Sequence, residues 1–135
     1  MLSKKTRYAM VSLVRLAKEY GKGAICISTI AEEEMIPRRF LEGILLELKG
    51  RDILGSVRGK AGGYYLLKHP SEVPLAEIIT IFEGSLGMLA CVCNNKYKPC
   101  EFCKDETTCK LRKTFRYVYE SSYAILKNTT LSDLI

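Results

Sequence analysis

Apolar residues in the first twenty positions recur at helical spacing. Ala9, Leu13, Leu16 and Tyr20 follow one face, and Met10, Val14 and Ala17 follow the next. This predicts a helix from Lys4 to Tyr20, packed on more than one side because its apolar arc is wide. Gly21 and Gly23 end it. A short second helix is expected from Ser28. Ser28 or Thr29 would cap it, Thr29 and Glu32 have capping-box spacing, and the run of three glutamates would favour the positive end of its dipole. Pro37 suits the first turn of a third helix. There Phe40, Leu41, Ile44, Leu45 and Leu48 share a face, and Arg38, Arg39, Glu42 and Lys49 lie away from it.

The period then changes. Residues 53–57 and 64–67 are apolar β-type runs around a glycine-rich loop, Arg58 to Gly63, and read as a hairpin. The loop lacks the spacing of a phosphate-binding loop, and no helix signal follows it. Pro74 opens another short helix. A segment with neither period follows, and a last long helix is expected from Asp105 or Thr107. Its Leu111, Phe115, Val118, Ser122 and Ile125 are spaced 4, 3, 4, 3, a coiled-coil-like seam over about two heptads. This face either packs on the chain's own core or forms a homodimer. A long helix at the end of a small domain has little core of its own to cover, which favours the dimer.

The fold class these elements predict is mainly α with a small β-hairpin. Helix, short helix, helix and hairpin is the order of a winged helix-turn-helix, here with a long C-terminal dimerisation helix. Such a fold suits double-stranded DNA. A helix fits the major groove, and a hairpin tip bearing Arg58 and Lys60 can reach phosphates or the minor groove. Charge sharpens this expectation. The net charge is +6; residues 1–70 carry 13 Lys/Arg against 7 Asp/Glu, whereas residues 71–135 carry 8 of each. A basic surface confined to one half points to an anionic partner, although a solvated basic face accounts for charge alone.

The length of 135 residues fits one domain with an appendage and buries about two thirds of the unfolded surface, so no disulfide staple is needed. No run approaches the roughly 18 apolar residues of a membrane span. The basic and apolar N-terminus could imitate a signal peptide, but Arg15 and Lys18 interrupt it, which leaves an ordinary helix in a cytoplasmic protein. His69 is the only histidine and reads as a surface residue. With no convincing carboxylate pair either, nothing suggests an enzyme.

Five of the six cysteines fall within nineteen residues, in CVCNNKYKPCEFCKDETTC: Cys91, Cys93, Cys100, Cys103 and Cys109. A cytoplasmic chain argues against a disulfide framework. Thiols in a polar loop are not core residues either, which leaves a metal or cluster site. The Cys100–Cys103 spacing lets two thiolates grip one metal ion. Cys109 falls in the first turn of the last helix, where amide dipoles stabilise a thiolate. Lys96, Lys98, Lys104 and Lys110 would offset the charge of the thiolates. Zinc and an iron–sulfur centre both accept four cysteines, and spacing does not separate them. Cys26, alone in AICIS, reads as a small buried residue.

Several stretches together resemble one family. LSKKTRYAM opens the chain, IPRRFLEGILLELKGRDILGSVRGKAGGYYL spans the third helix and the hairpin, and LKNTTLSDLI closes it. With the cysteine loop they are similar to the Rrf-two-type family of winged helix-turn-helix transcription regulators, which includes the IscR- and NsrR-like iron–sulfur sensors. The resemblance implies a DNA-binding domain over residues 1–83, a cluster-binding loop over 84–108, and a dimerisation helix with a C-terminal tail over 109–135. It implies that the third helix reads the major groove, with Glu42 accepting a hydrogen bond from cytosine and Arg39 facing the groove beside it. Arg58 would bind in or near the minor groove. The candidate DNA contacts are therefore Arg38, Arg39, Glu42, Arg58, Lys60 and Lys4.

The family's sensors hold an iron–sulfur cluster on three loop cysteines. Cys103 and Cys109 match the final pair, and Cys91 fits the first, with Cys93 a close competitor. The fourth ligand in many members is a histidine three residues after the last cysteine, or a carboxylate on the first helix. Here those positions hold Arg112 and Arg7, so Cys100 is the expected fourth ligand. Four-cysteine ligation permits a 2Fe–2S or a 4Fe–4S centre. The expected function is a homodimeric DNA-binding regulator sensing redox state, oxygen, nitric oxide or iron–sulfur status. A regulator with structural zinc would bind duplex but be colourless. A small electron-transfer protein would cycle redox state without salt-sensitive DNA binding.

Overall fold

The computed structural model describes residues 2–94, 97–102 and 105–135. Cys103, Lys96 and Lys104, singled out above, lie outside the described residues. The chain forms α1 (Lys4–Lys18), α2 (Ile27–Glu33), α3 (Arg38–Gly50), the strands β1 (Leu54–Val57) and β2 (Gly63–Leu66), then α4 (Leu75–Glu83) and α5 (Lys110–Asn128). Among the described residues, three short 3₁₀ turns, Pro70–Glu72, Ala90–Val92 and Leu131–Leu134, punctuate the second half.

The periodic faces form one core. Leu13 of α1, Ile30 of α2, Leu41, Ile44, Leu45 and Leu48 of α3, Ile53 and Ile78 all reach 0% exposure. Phe40 departs from the expected face. It stays 46% exposed and meets Tyr8 edge-on, with ring centroids 5.7 Å apart.

Capping also differs from the sequence pattern. α2 starts at Ile27 with Cys26 at its N-cap and no side-chain cap bond. Ser28 is already inside the helix, and its hydroxyl accepts from Arg38 Nη1 at 3.2 Å. Because α2 is short, the glutamates fall at its C-terminal end. Glu33 pairs there with Arg15, Nε to Oε2 at 2.6 Å, and that bond holds the Glu33 carboxyl below its ordinary value.

The hairpin is antiparallel and pairs Leu54 with Leu66 and Val57 with Gly63. Ile25 adds an isolated bridge to Tyr64, so the chain entering α2 lies along the hairpin. At the other end of the sequence, Leu131 is fully buried in the main core. Its amide bonds to Val73 O, and Leu75 N bonds to Thr129 O. The C-terminal tail therefore seals the start of α4.

The turn between α2 and α3 holds Met35 at φ +55°, a region that costs a side-chain-bearing residue about 1 kcal/mol and glycine little. Met35 is 87% exposed, so its side chain contributes little packing in return. Met35→Gly is expected to raise stability by about 1 kcal/mol, read as a higher midpoint in urea melts.

Candidate functional site

Two regions carry the chemistry. The first is the surface made by α3 and the hairpin. The N-terminus of α3 presents Arg38, Arg39 and Glu42, all exposed. Arg38 Nε stands 3.5 Å from Glu42 Oε1 with both side chains more than half exposed, so water screens the pair and it contributes little to stability. Arg39, Arg58, Lys60 and Lys4 are exposed and form no ion pair among the described residues. Gly59, at φ +108°, follows Arg58 at the tip of the hairpin. Lys5, beside Lys4, is instead committed to the protein, pairing with Glu47 at 3.0 Å.

The second region is the cysteine segment. Cys91 and Val92 pack with Tyr119 into a small apolar cluster of their own, backed by Leu86, Leu89, Cys100 and Phe115. A cavity of about 320 Å³ opens beside it, lined by Cys91, Cys100, Lys98, Pro99 and Phe102 among others. Cys109 is the N-cap of α5, where its Sγ accepts from the Arg112 amide at 3.4 Å. The helix thus begins later than expected. Asp105 caps a separate turn, accepting from the Thr107 amide at 2.9 Å. Among the described residues, no three His, Cys, Asp or Glu side chains converge closely enough for a metal ion.

Cys93 differs from its neighbours. Its thiol donates to the Leu89 carbonyl at 3.2 Å and accepts from the Ser85 hydroxyl at 2.8 Å. A Cβ on Gly87 would come within 2.3 Å of its Sγ. Cys93 is thus engaged by Ser85 and Leu89 and stands outside the apolar cluster that holds Cys91 and Cys100.

Cys26 is exposed rather than buried. The Ser28 amide and hydroxyl lower its pKa from the ordinary thiol value. In metal-free protein N-ethylmaleimide is expected to modify Cys26 about tenfold faster than Cys91 or Cys93, which are 5% exposed, because labelling follows thiolate content and access. Peptide mapping of the labelled protein measures this.

The outer face of α5 has little to cover it. Tyr119 is its one buried residue. Leu111 and Ile125 are 69% and 66% exposed, Val118 is 38% exposed, and Phe115 and Ser122 are half-buried. Phe115 faces the cysteine cluster.

Three helices, the second of them short, followed by a two-stranded hairpin bearing Arg58 and Lys60 at its tip form a winged helix-turn-helix fold. A family model described as "Iron-dependent Transcriptional regulator", Rrf2, matches residues 2–135. The chain belongs to the Rrf2 family of DNA-binding transcription regulators, and its relatives are named as regulators rather than enzymes. It is 37% identical over 138 residues to an rrf2-like HTH-type transcriptional regulator of Rhodobacter capsulatus, covering 100% of this chain and 92% of that protein. Its fold is similar to that of CymR, the global cysteine regulator of B. subtilis, with TM-score 0.83 at 25% identity, covering 99% of this chain and 95% of that one. It is also similar to T. potens IscR, with TM-score 0.78 at 26% identity, covering 99% and 85%. Among the described residues no helix is long and apolar enough to cross a membrane.

Proposed function

We propose that this chain is a homodimeric regulator whose loop cysteines hold an iron–sulfur cluster, and whose DNA affinity follows the state of that cluster. The observation that carries the reading is the seat of the cysteine segment. Cys91 and Cys100 pack against Phe115 and Tyr119 of α5, and Cys109 caps the same helix. The helix whose apolar outer face is uncovered is therefore the one the thiols touch.

The donor set fits the group. Thiolates are soft ligands suited to iron–sulfur centres. Leu89, Val92 and Phe115 supply apolar backing, and Lys98 and Lys110 leave positive charge at the rim. Cys91, Cys100, Cys103 and Cys109 are the ligands in this reading, with Cys93 kept in its Ser85 pocket. The cluster supplies one-electron redox chemistry when bound. The chain's own residues supply the coupling. Ligation at Cys109 would fix the N-cap of α5, and the Cys91 segment braces the helix through Tyr119. Release of the thiols loosens both contacts. That shifts how Leu111, Val118 and Ile125 meet a second copy, and so the spacing of two α3 helices on DNA. The iron dependence named for the family supports this reading.

The same four thiols also suit zinc. Protein purified without oxygen separates the two. Iron with acid-labile sulfide and a brown colour bleached by air supports the cluster; one zinc per colourless chain replaces it with a structural site. In the cluster case Cys109→Ala and Cys100→Ala are each expected to lower iron at least about tenfold, since an unreplaced ligand opens the site. Cys93→Ala should retain most of it. Equal loss in all three variants would remove the assignment of ligands.

A further inference from the structure

The cysteine segment carries a set of polar contacts that ligation does not use. Tyr97, between Cys93 and Cys100, donates its hydroxyl to the Glu106 carboxylate, with the two oxygens 2.5 and 2.6 Å away. Glu106 Oε2 lies 3.8 Å from Arg112 Nε. The same Nε donates to the Cys91 carbonyl at 3.2 Å. The Glu106 and Arg112 side chains are only 27% and 23% exposed, so water screens their charges less than at the surface. Hydrogen bonds to charged groups in such a setting are stronger than neutral ones.

These contacts join four separate points. Cys91 belongs to the 3₁₀ turn Ala90–Val92, Tyr97 and Glu106 lie on either side of Cys100 in sequence, and Arg112 is in the first turn of α5. Among its described residues the segment has one short 3₁₀ turn and a small apolar cluster to order it. An open loop of this length gains conformational entropy on release, so something must hold its ends.

We propose that Tyr97, Glu106 and Arg112 form a clasp that closes the cysteine loop before any metal is bound, with Arg112 as the residue that positions Cys91. Arg112 joins the two ends of the loop directly. Its side chain holds the Cys91 carbonyl, and its own amide bonds Cys109 Sγ. Glu106, held in turn by the Tyr97 hydroxyl, keeps its guanidinium in place. The thiols then meet an incoming metal from a closed loop rather than from a free chain, which lowers the ordering cost of binding. Only this last step rests on the proposed cluster; the clasp itself is a property of the metal-free chain.

The test is cysteine labelling of the full-length, metal-free protein with N-ethylmaleimide, read at each cysteine by mass spectrometry. Cys26 is exposed and far along the sequence, and serves as the internal reference. Tyr97→Phe removes only a hydroxyl and Arg112→Gln keeps a side chain of useful length, so neither disturbs the main core. Both are expected to speed labelling of Cys91 by at least about fivefold through local opening, with Cys93 and Cys26 changing less than about twofold. Unchanged Cys91 labelling overturns the clasp. So does an equal rise at Cys93, because the contacts would then hold the cysteine segment as a whole rather than position Cys91. Reconstitution with ferrous iron and sulfide reads the consequence separately. Slower uptake in both variants supports the positioning role, and uptake at the parent rate despite faster labelling overturns it. If the parent takes up no iron while the labelling differences stand, the clasp survives and the cluster reading falls.

Discussion

Gly63→Ala is expected to cost on the order of 3 kcal/mol of stability and to abolish DNA binding at concentrations where the parent binds fully. A Cβ built on Gly63 would lie 2.0 Å from Ile25 O and 2.7 Å from Cys26 N. Both are main-chain atoms, so no side chain can swing aside. The two hydrogen bonds beside this contact, Ile25 N to Tyr64 O at 2.8 Å and Tyr64 N to Ile25 O at 2.9 Å, hold the hairpin against the entry to α2. Making room for the methyl group stretches both, at about 1 kcal/mol net each, and overpacking adds about 1–3 kcal/mol. The hairpin then no longer has a fixed position relative to α3. Gly43→Ala provides the contrast. Nothing lies within 4 Å of its added Cβ, and it sits inside α3, so alanine is expected to stabilise by about 0.5–1 kcal/mol. Urea melts of both variants measure the two signs. A Gly63→Ala protein as stable as its parent would mean the hairpin is not pinned through this contact.

That glycine shows how far the sequence can be read. The loop was legible as glycine-rich and as the tip of a hairpin. For Gly63 the close approach is to Ile25, far earlier in the chain, and no local pattern announces it. The amphipathic helices α1, α3 and α4 were legible because burial on one face imposes a period. The helix ends were less so. Cys26 and Cys109 occupy N-caps, a position where oxygen-bearing side chains are the usual signal, so Ser28 and Asp105 drew the boundary away from its true place. Leu131 reaches 0% exposure although LSDLI is too short to show a period. The clasp residues Tyr97, Glu106 and Arg112 sit in or beside a segment without periodicity, and only folding brings them together. The grouping of the cysteines in sequence was plain, but the expectation that none is a core residue was wrong for Cys91 and Cys93, both 5% exposed, because apolar residues of the segment and of α5 cover Cys91 and Ser85 and Leu89 engage Cys93.

The surface of α3 and the hairpin leads to the second large effect. Arg39→Ala with Arg58→Ala is expected to weaken binding to duplexes selected from a random pool by about a hundredfold at physiological salt, and to reduce the salt slope by about 2. Neither arginine forms an ion pair among the described residues, so their removal leaves no protein charge stranded and stability should stay within about 0.5 kcal/mol. Glu42 should behave differently. It faces the same surface with a negative charge, which repels phosphate wherever it lands. Its contact with Arg38 is long at 3.5 Å and exposed, so the carboxylate is free to turn to a base at little cost. Accepting from a cytosine amino group would discriminate that base by about 1–3 kcal/mol. Glu42→Ala is therefore expected to bind the best duplex roughly 5- to 150-fold more weakly, while its affinity for unrelated duplex rises. The two quantities move in opposite directions only if Glu42 reads a base. If Glu42→Ala raises affinity for all duplexes alike, Glu42 contributes repulsion and no sequence readout. If it changes neither, the surface that meets DNA lies away from this turn of α3.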